Sequence, residues 1–417
     1  MTGRVQRVAV LLGISLMLTP AITRAQPVDP PAALARMETL FAGDDPTETW
    51  AFAHRLLRPR EERGEPDTPE IIRIRTLAGI ALYQDGLPFR ALDEIEKAIE
   101  SADALLGPGD LLAIEARRAA AEVYDGIQRY GEAAEAYSAA LDGLASRADI
   151  RPDQQVPLQA ALGRVYLRQG QLAEAEPLLT LALEYQENLA PQDPLALAEA
   201  LGALGRVYLA QAQYGQARPL FERALAIPAP DGMSPDAARR DAMTDLAATL
   251  AATGDAAEAE RLYRSSLDAS EDDQRISLAA RGLGLLYLGQ GRYDEAEPLL
   301  RGYAEGWADL LGESCVFAIE GLMDLARLEA LRGDFTKAVP LYRRAYIGSQ
   351  TVFGAGHPAT VATGWSLART LISLDEGGRA EAILLARTQL AELRERRRLS
   401  GAVQSRLTGG FYRNRFC

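Results

Sequence analysis

The 417-residue chain is poor in the residue types that most often form metal and catalytic centres. It has two histidines, His54 and His357, and two cysteines, Cys315 and Cys417. Neither histidine stands at the spacing from another ligand that a zinc site requires. No glycine-rich phosphate loop follows a strand, and no G-x-S-x-G nucleophile elbow occurs. The sequence therefore predicts no cofactor, no metal and no enzyme of these common kinds.

Aromatic residues are also scarce, at 6%, whereas alanine and leucine are abundant. This balance favours helices over a fold rich in β-sheet. The chain is 48% hydrophobic and 25% charged, as is ordinary for a folded soluble protein. Beyond the N-terminal segment no apolar run is long enough to span a membrane.

Lysine is nearly absent. Of 45 basic residues only Lys97 and Lys337 are lysines, and the formal net charge of the chain is −13. Since arginine is the default basic residue here, the presence of one arginine is weak evidence that it serves binding.

The N-terminus has the pattern of a secretory signal peptide. Arg4 and Arg7 precede an apolar run over residues 8–18, and Thr23-Arg24-Ala25 offers a cleavage site before Gln26. A membrane anchor would need a longer apolar run, and a lipoprotein would need a cysteine after it. We therefore expect residues 1–25 to be removed and the mature protein to be periplasmic or secreted.

A long repeat dominates the rest of the chain. ALGRVYLRQGQLAEAEPLL over residues 161–179 returns 42 residues later as ALGRVYLAQAQYGQARPLF over residues 203–221. The same shift, shortened once to 37, marks eight units anchored at Leu82, Tyr124, Tyr166, Tyr208, Leu250, Tyr287, Glu329 and Leu371. An alanine follows nine residues after each anchor: Ala91, Ala133, Ala175, Ala217, Ala259, Ala296, Ala338 and Ala380.

A glycine often separates anchor and alanine, so each unit reads as two apolar helices joined by a short turn. One such hairpin cannot bury its own apolar face, and stacking on its neighbours is what buries it. The pattern LG..YL.QG.Y.EAEPLL resembles the tetratricopeptide repeat. The 42-residue spacing and the GHP turn at 356–358 resemble the kinesin light chain-like variant of that family.

The resemblance implies an all-α, right-handed superhelix of about eight helical hairpins over residues 68–390. It also implies a non-enzymatic scaffold that holds a protein or peptide partner in a concave groove. Residues 26–67 would precede the array, with a degenerate capping hairpin over 34–58. Residues 391–417 would form a basic helix end and a flexible tail.

Arginines recur on the helix face that should line the groove. With each anchor numbered 11, core residues fall at positions 4, 7, 8 and 11, so positions 2, 5, 9 and 13 point the opposite way. The arginines at these positions are Arg118, Arg164, Arg168, Arg206, Arg281, Arg327 and Arg369. Four of them, Arg164, Arg168, Arg206 and Arg327, are candidates for holding an acidic segment or a C-terminal carboxylate. The alternative is that the arginines pair with Glu122, Glu199 or Glu320 on the same face.

Two further interpretations involve the cysteines. Cys315 and His357 are 42 residues apart, which allows a hydrolase with a Cys–His pair. Equivalent points on neighbouring hairpins should lie about 8–10 Å apart, however, too far for the hydrogen bond such a pair needs. The simpler interpretation is two turn residues. Cys417 could form a disulfide with Cys315, with another copy or with a partner.

The C-terminal segment has eight arginines after residue 386 against Glu392 and Glu395. A solvated helix end with a loose tail is the simplest interpretation. Docking on the acidic body, contact with anionic lipid or self-association as an assembly subunit are alternatives, and nucleic acid is the least favoured partner of an exported protein.

Overall fold

The computed structural model describes residues 29–189, 193–227, 237–268, 277–374, 376–392 and Arg394. Every regular element in this part of the chain is a helix, which confirms the all-α fold class. The helices are α1 (Pro30–Ala42), α2 (Pro46–Glu62), α3 (Pro69–Gln84), α4 (Pro88–Leu105), α5 (Leu111–Gly126), α6 (Tyr130–Ala145), α7 (Pro152–Arg168), α8 (Leu172–Asn188), α9 (Pro194–Ala210), α10 (Tyr214–Ala226), α11 (Ala237–Thr253), α12 (Ala256–Asp268), α13 (Leu278–Gly289), α14 (Tyr293–Leu311), α15 (Val316–Leu331), α16 (Phe335–Phe353), α17 (Pro358–Ile372) and α18 (376–392).

Proline and short polar side chains set many of the helix starts. α3, α4, α7, α9 and α17 each begin at a proline, whose fixed φ suits the first turn. The side chains of Asp110, Asp193 and Ser277 accept hydrogen bonds from backbone N–H groups at the starts of α5, α9 and α13. These bonds satisfy donors that have no partner within the helix. Within the described residues no helix is long and apolar enough to cross a bilayer.

Contacts between residues group the chain into two compact units, divided between Gln169 and Gly170. The first unit contains α1 to α7. Its apolar core begins where α1 and α2 pack on α3 through Met37, Leu57 and Ile74. It continues through α4 and α5, so the N-terminal pair of helices is built into the stack like the later ones.

An arginine network joins the first two hairpins of this unit. The Arg75 side chain is 6% exposed and contacts three carboxylates, those of Glu61, Asp67 and Glu94, each at 2.8 Å. Burial alone would lower the pKa of Arg75, but these carboxylates raise it above its ordinary value. Because the network spans the end of α2, the following loop, α3 and α4, it fixes how the hairpins stack.

The second unit contains α8 to α18. One apolar core runs from α10 through α15 and includes Phe221, Tyr263 and Leu300. A second core joins α15, α16, α17 and α18. Within the unit, helices that follow each other from α8 to α17 pack side by side as stacked hairpins, and the A helices α9 and α11 also touch. Here an A helix is the first helix of a hairpin and a B helix the second.

The repeat markers occupy equivalent places in the helices. The anchors lie in the last turn of their A helices, and the first seven alanines are fully buried near the start of the B helices. Ala380 is the exception, because it is exposed on α18. Gly378, which is buried, takes the position of Ala338 and lies 40 residues after it. The last hairpin is therefore two residues shorter than the sequence spacing predicted.

The anchor tyrosines belong to the core, with a polar tip. Tyr287 is buried, and its hydroxyl donates a hydrogen bond to Glu260 on the preceding B helix at 2.9 Å. The guanidinium of Arg292 lies over the same ring at 3.9 Å. Tyr124 donates in the same way to Glu96 at 2.8 Å. Each tyrosine thus ties its A helix to the hairpin before it.

The turns between A and B helices require a left-handed residue. Five hairpins place a glycine there, for example Gly170 with φ of 73°. Three hairpins lack it: Asp44, between α1 and α2, has φ of 53°, and in two later turns Gln128 and Ala212 adopt φ of 63° and 59°. A side chain in this conformation costs about 1–2 kcal/mol, so these turns are strained.

Candidate binding surface

The seven predicted arginines all lie on A helices, but they fall into two groups. Arg118, Arg168, Arg206 and Arg281 pair with carboxylates of the protein itself. Arg164, Arg327 and Arg369 make no ion pair or hydrogen bond within the described residues. The two groups have different capacities for binding, because a guanidinium already held by carboxylates has fewer N–H groups to offer.

In the second unit, paired arginines connect neighbouring A helices. Arg206 of α9 contacts Asp241 at 3.0 Å and Asp245 at 2.6 Å, both on α11. The arrangement recurs between α13 and α15, where Arg281 contacts two carboxylates at 2.7 and 2.8 Å. In both cases the acids occupy positions 2 and 6 of the next A helix. We call each set of one arginine and its two carboxylates a rung.

Burial dominates the electrostatics of the rungs. It raises the pKa of Asp245 to about 6, although the charge and hydrogen bond of Arg206 oppose the shift. In the other rung burial raises the pKa of Glu320 and of Asp324, again against the arginine that they face. Burial alone would lower the pKa of Arg206, but its two aspartates raise it. The rungs are therefore partly desolvated ion pairs.

In the first unit the pairs are more exposed. Arg118 contacts Glu122 one turn along α5, and about 40% of each side chain is exposed. Arg168 of α7 contacts Asp125 of α5 and also lies over the ring of Tyr130, at 6.0 Å from its centroid. Exposed pairs of this kind contribute about 1 kcal/mol or less.

Sequence reasoning found some of these partners and missed others. The alternative interpretation paired the four candidates with Glu122, Glu199 or Glu320; Glu122 and Glu320 do form ion pairs, but with Arg118 and Arg281. Arg206, however, pairs with acids of α11 and not with Glu199. Asp241 and Asp245 were missed, although the 42-residue register places them beside Arg206. Applying that register to acids as well as to bases would have found them.

The unpaired arginines of the second unit share one position. Arg327 and Arg369 both occupy position 9, on α15 and α17, and both are exposed. Tyr342 of α16 lies close to both: burial raises its pKa, while Arg369 and Arg327 each act to lower it. Trp365, one turn before Arg369, is 47% exposed. Two guanidiniums and an indole ring are thus presented on one surface. Neither guanidinium forms an ion pair within the described residues, although the charge of Arg327 acts to lower the pKa of Asp324.

Arg164 is the corresponding residue of the first unit. It lies at position 9 of α7 and is half-buried. Burial, together with two nearby acids, raises the pKa of buried Tyr137 well above its ordinary value, and the charge of Arg164 acts against that shift. No ion pair holds Arg164 in the part of the unit that the structure describes.

Comparison with known proteins explains this helix arrangement. Tetratricopeptide repeat models match residues 157–228, 238–306 and 320–359. These parts of the chain are tetratricopeptide repeats. No curated protein matches its sequence.

Solved structures with the same fold are distant in sequence. The apo form of the quorum sensor NprR from B. thuringiensis is 17% identical, with a TM-score of 0.58 over 76% of this chain and 87% of that one. A Rap protein complexed with Competence and Sporulation Factor is 12% identical, with a TM-score of 0.54 over 85% and 99%. A putative kinesin light chain from Podosopora anserina is 25% identical over 49% and 99%, with a TM-score of 0.42. The similarities to NprR and to the Rap protein concern the fold of the repeats.

Cys315 and His357 have equivalent structural roles in the repeats. Each is the residue that precedes the first turn of an A helix, α15 and α17 respectively. His357 accepts a hydrogen bond from the backbone N–H of Ala359 through Nδ1 at 3.2 Å, and its ring stacks on Phe353 at 4.8 Å. This role accounts for the 42-residue spacing without a catalytic pair.

The remaining sequence predictions concern the cysteines, metal ligands and the signal peptide. Cys315 is half-buried and its thiol forms no disulfide within the described residues, whereas Cys417 lies outside them. In the described ranges no three His, Cys, Asp or Glu side chains cluster as metal ligands. The predicted signal peptide, residues 1–25, also lies outside the described part.

Proposed function

We propose that this protein, which contains tetratricopeptide repeats, is an exported scaffold that binds a carboxylate-bearing segment of a protein or peptide. The binding surface is the A-helix face of each unit. Arg327 and Arg369 contact the partner's carboxylates in the second unit, and Arg164 does so in the first. A similar structure, the Rap protein, is complexed with Competence and Sporulation Factor, which supports binding of a peptide by such a fold.

One observation carries the proposal: the arginines of this face are unequally paired. Arg206 and Arg281 are each paired with two acids of the next A helix, so they have few N–H groups left for a partner. Arg327 and Arg369 have no such acids. In a chain with a net charge of −13, exposed guanidiniums without internal partners attract an anionic segment locally while the rest of the surface repels it.

Fluorescence anisotropy with labelled peptides tests the proposal. An acidic peptide with a free C-terminus should bind more tightly than its neutral or basic counterparts, and its affinity should fall as salt rises. Arg327→Gln and Arg369→Gln should each weaken binding by about fivefold, which corresponds to the ~1 kcal/mol of one exposed charge-assisted contact. Arg379→Gln on α18 is the control, since it changes the net charge equally at an exposed residue outside this face.

Equal affinity for acidic and basic peptides, independent of salt, would refute the electrostatic part. Loss of binding in the Arg379→Gln variant as large as in Arg327→Gln would show that only net charge matters. Export is tested separately by N-terminal sequencing of the protein recovered from the periplasm or medium. A mature N-terminus at Gln26 is expected, and uncleaved protein confined to the cytoplasm would contradict it.

A further inference from the structure

The two rungs of the second unit have the same construction. In each, an arginine of one A helix contacts two acids that lie four residues apart on the next A helix, so both acids share one helix face. The second acid is followed in both helices by a buried leucine and a buried alanine: Asp245-Leu246-Ala247 and Asp324-Leu325-Ala326. An A helix that forms a rung thus brings two carboxylates together with an adjoining apolar pair.

Arg327 shows that a rung depends on the helix that follows the arginine. The next A helix is α17, and its residues at positions 2 and 6 are Thr360 and Gly364. Neither residue can pair with a guanidinium as a carboxylate does. Arg327 accordingly forms no ion pair within the described residues. The arginine at position 9 is therefore a site whose occupancy is decided by the partner helix.

Arg369 is at the same position of α17, and beside it lies an apolar cavity between α17 and α18. Trp365, Ile372 and Ile383 line the cavity, and each of these side chains is about half exposed. Among the described residues of its lining, Arg369 is the one with a charged side chain. The cavity therefore suits an occupant that combines apolar side chains with negative charge.

Comparison with the preceding hairpin shows that this cavity is where a further A helix would pack. Ala326 of α15 lies with Tyr342 and Tyr346 of α16 in the core that they share with α17. The counterparts of these three residues one hairpin later line the cavity: Ala368, Ala382 and Ala386. The surface that receives α17 thus recurs one hairpin later, where no described helix covers it. Its smaller side chains leave room for large ones from the occupant.

We propose that a partner protein docks an amphipathic helix on this surface as a further A helix of the second unit. Two carboxylates of that helix, four residues apart, bind Arg369 as a third rung, and its apolar side chains fill the cavity. This inference rests on the proposed function, in which Arg369 binds a partner's carboxylates, and it specifies that the bound segment is helical. Anchors spaced three and four residues apart are how grooves recognise such helices.

Local charge favours this occupant over the chain's own C-terminal sequence. After residue 392 that sequence contains one acid, Glu395, among seven arginines. It therefore lacks a pair of carboxylates for a rung, and its charge has the same sign as that of Arg369 and Arg327. A helix with two acids on one face is attracted to the same guanidiniums.

A fluorescently labelled peptide with the sequence of residues 237–253 is the probe, because this segment, α11, forms a rung in the protein itself. In anisotropy measurements it should bind the full-length protein. The same peptide with Asp241→Asn and Asp245→Asn should bind about tenfold more weakly, since two charge-assisted contacts are lost. A peptide in which residues 241 and 243 are exchanged has the same composition but separates its aspartates by two residues. It should also bind about tenfold more weakly, because the two acids then lie on different faces.

Variants of the protein locate the contact. Arg369→Gln should weaken binding of the unaltered peptide by about fivefold. Ile383→Asp should weaken it by about tenfold, because it places a carboxylate in the cavity that the apolar side chains enter. The matched controls on α18 are Arg379→Gln and Leu384→Asp, which make the same changes of charge at exposed residues outside the cavity. Each control should change the affinity by less than about twofold.

The outcomes separate this inference from the proposed function. Equal binding of the three peptides that is still weakened by Arg369→Gln refutes the helical rung and leaves the proposed function intact. Loss of no acidic peptide in Arg369→Gln contradicts both. Absence of binding by the unaltered peptide, or binding unaffected by Ile383→Asp in a variant whose circular dichroism is unchanged, also refutes the inference. Dimers in light scattering that Ile383→Asp dissociates refute it in favour of a second copy.

Discussion

Replacement of Asp245 by asparagine should change how stability depends on pH. Burial raises the pKa of Asp245 from the ordinary 3.8 to about 6. A carboxyl group whose pKa is higher in the folded state holds its proton more tightly when folded. Its contribution therefore stabilises the protein at low pH and is lost as the pH rises through about 6. The difference between 3.8 and about 6 corresponds to about 3 kcal/mol of unfolding free energy.

The assay is urea unfolding followed by circular dichroism at pH 4, 5.5 and 7. We expect the unfolding free energy of the variant, minus that of the unaltered protein, to increase by about 2.5 kcal/mol from pH 4 to pH 7, because pH 4 already lies slightly above the unfolded pKa. Taking this difference cancels the titration of all other groups. Asp241→Asn is the control. Asp241 is the other carboxylate that contacts Arg206, and its side chain is 57% exposed. It should change the difference by less than about 1 kcal/mol.

A difference that stays constant or decreases with pH would refute this reasoning. It would mean that the attraction of Arg206 outweighs the desolvation of Asp245. The ion pair of Arg206 and Asp245 would then stabilise the folded protein at neutral pH, whereas our reasoning is that the ionised Asp245 destabilises it.

Three further changes have defined outcomes in urea unfolding. Ala212→Gly should stabilise the protein by about 1 kcal/mol because it relieves the left-handed turn, whereas Ala210→Gly, two residues earlier at the exposed end of α9, should not stabilise it. Gly321→Ala should destabilise by about 1–3 kcal/mol, since a Cβ there would lie 2.7 Å from the backbone of α14. Gly202→Ala, in a helix with no atom nearby, should instead stabilise by about 0.5–1 kcal/mol. Arg75→Leu should cost about 3 kcal/mol at pH 7, because it leaves three carboxylates without their buried partner.

Each of these predictions has an outcome that contradicts it. Equal effects of the two alanine-to-glycine changes would mean that the turn is not strained. Two glycine-to-alanine changes of the same sign would mean that helix propensity outweighs close packing. An Arg75→Leu variant as stable as the unaltered protein would show that the three carboxylates do not depend on their buried partner.

The repeat register predicts the helices well because it reflects packing that every hairpin must satisfy. An alanine at the start of each B helix is required wherever the A helix approaches closely, so Ala91 and its equivalents are recognisable at a fixed interval. The constraint weakens at the last hairpin, where no described neighbour fixes the spacing. Ala380 is consequently exposed, and Gly378 occupies the buried position.

The binding surface is less predictable, because the helix face on which an arginine lies does not determine whether the arginine has an ion-pair partner. Helical periodicity places Arg206 and Arg327 at the same position of their helices. It does not reveal that the next helix offers aspartates to the first and none to the second. That distinction depends on side chains of a neighbouring repeat 35 to 39 residues away, which only a comparison between units can identify.

The rungs also have a consequence for how the second unit opens. Arg206 links the hairpin of α9 to that of α11, and Arg281 links the hairpin of α13 to that of α15. Separating one hairpin from a linked neighbour breaks both ion pairs of the rung at once. Linked hairpins should therefore exchange their amide hydrogens as blocks of two, so that fluctuations spread along this array in steps of a pair and not of a single repeat.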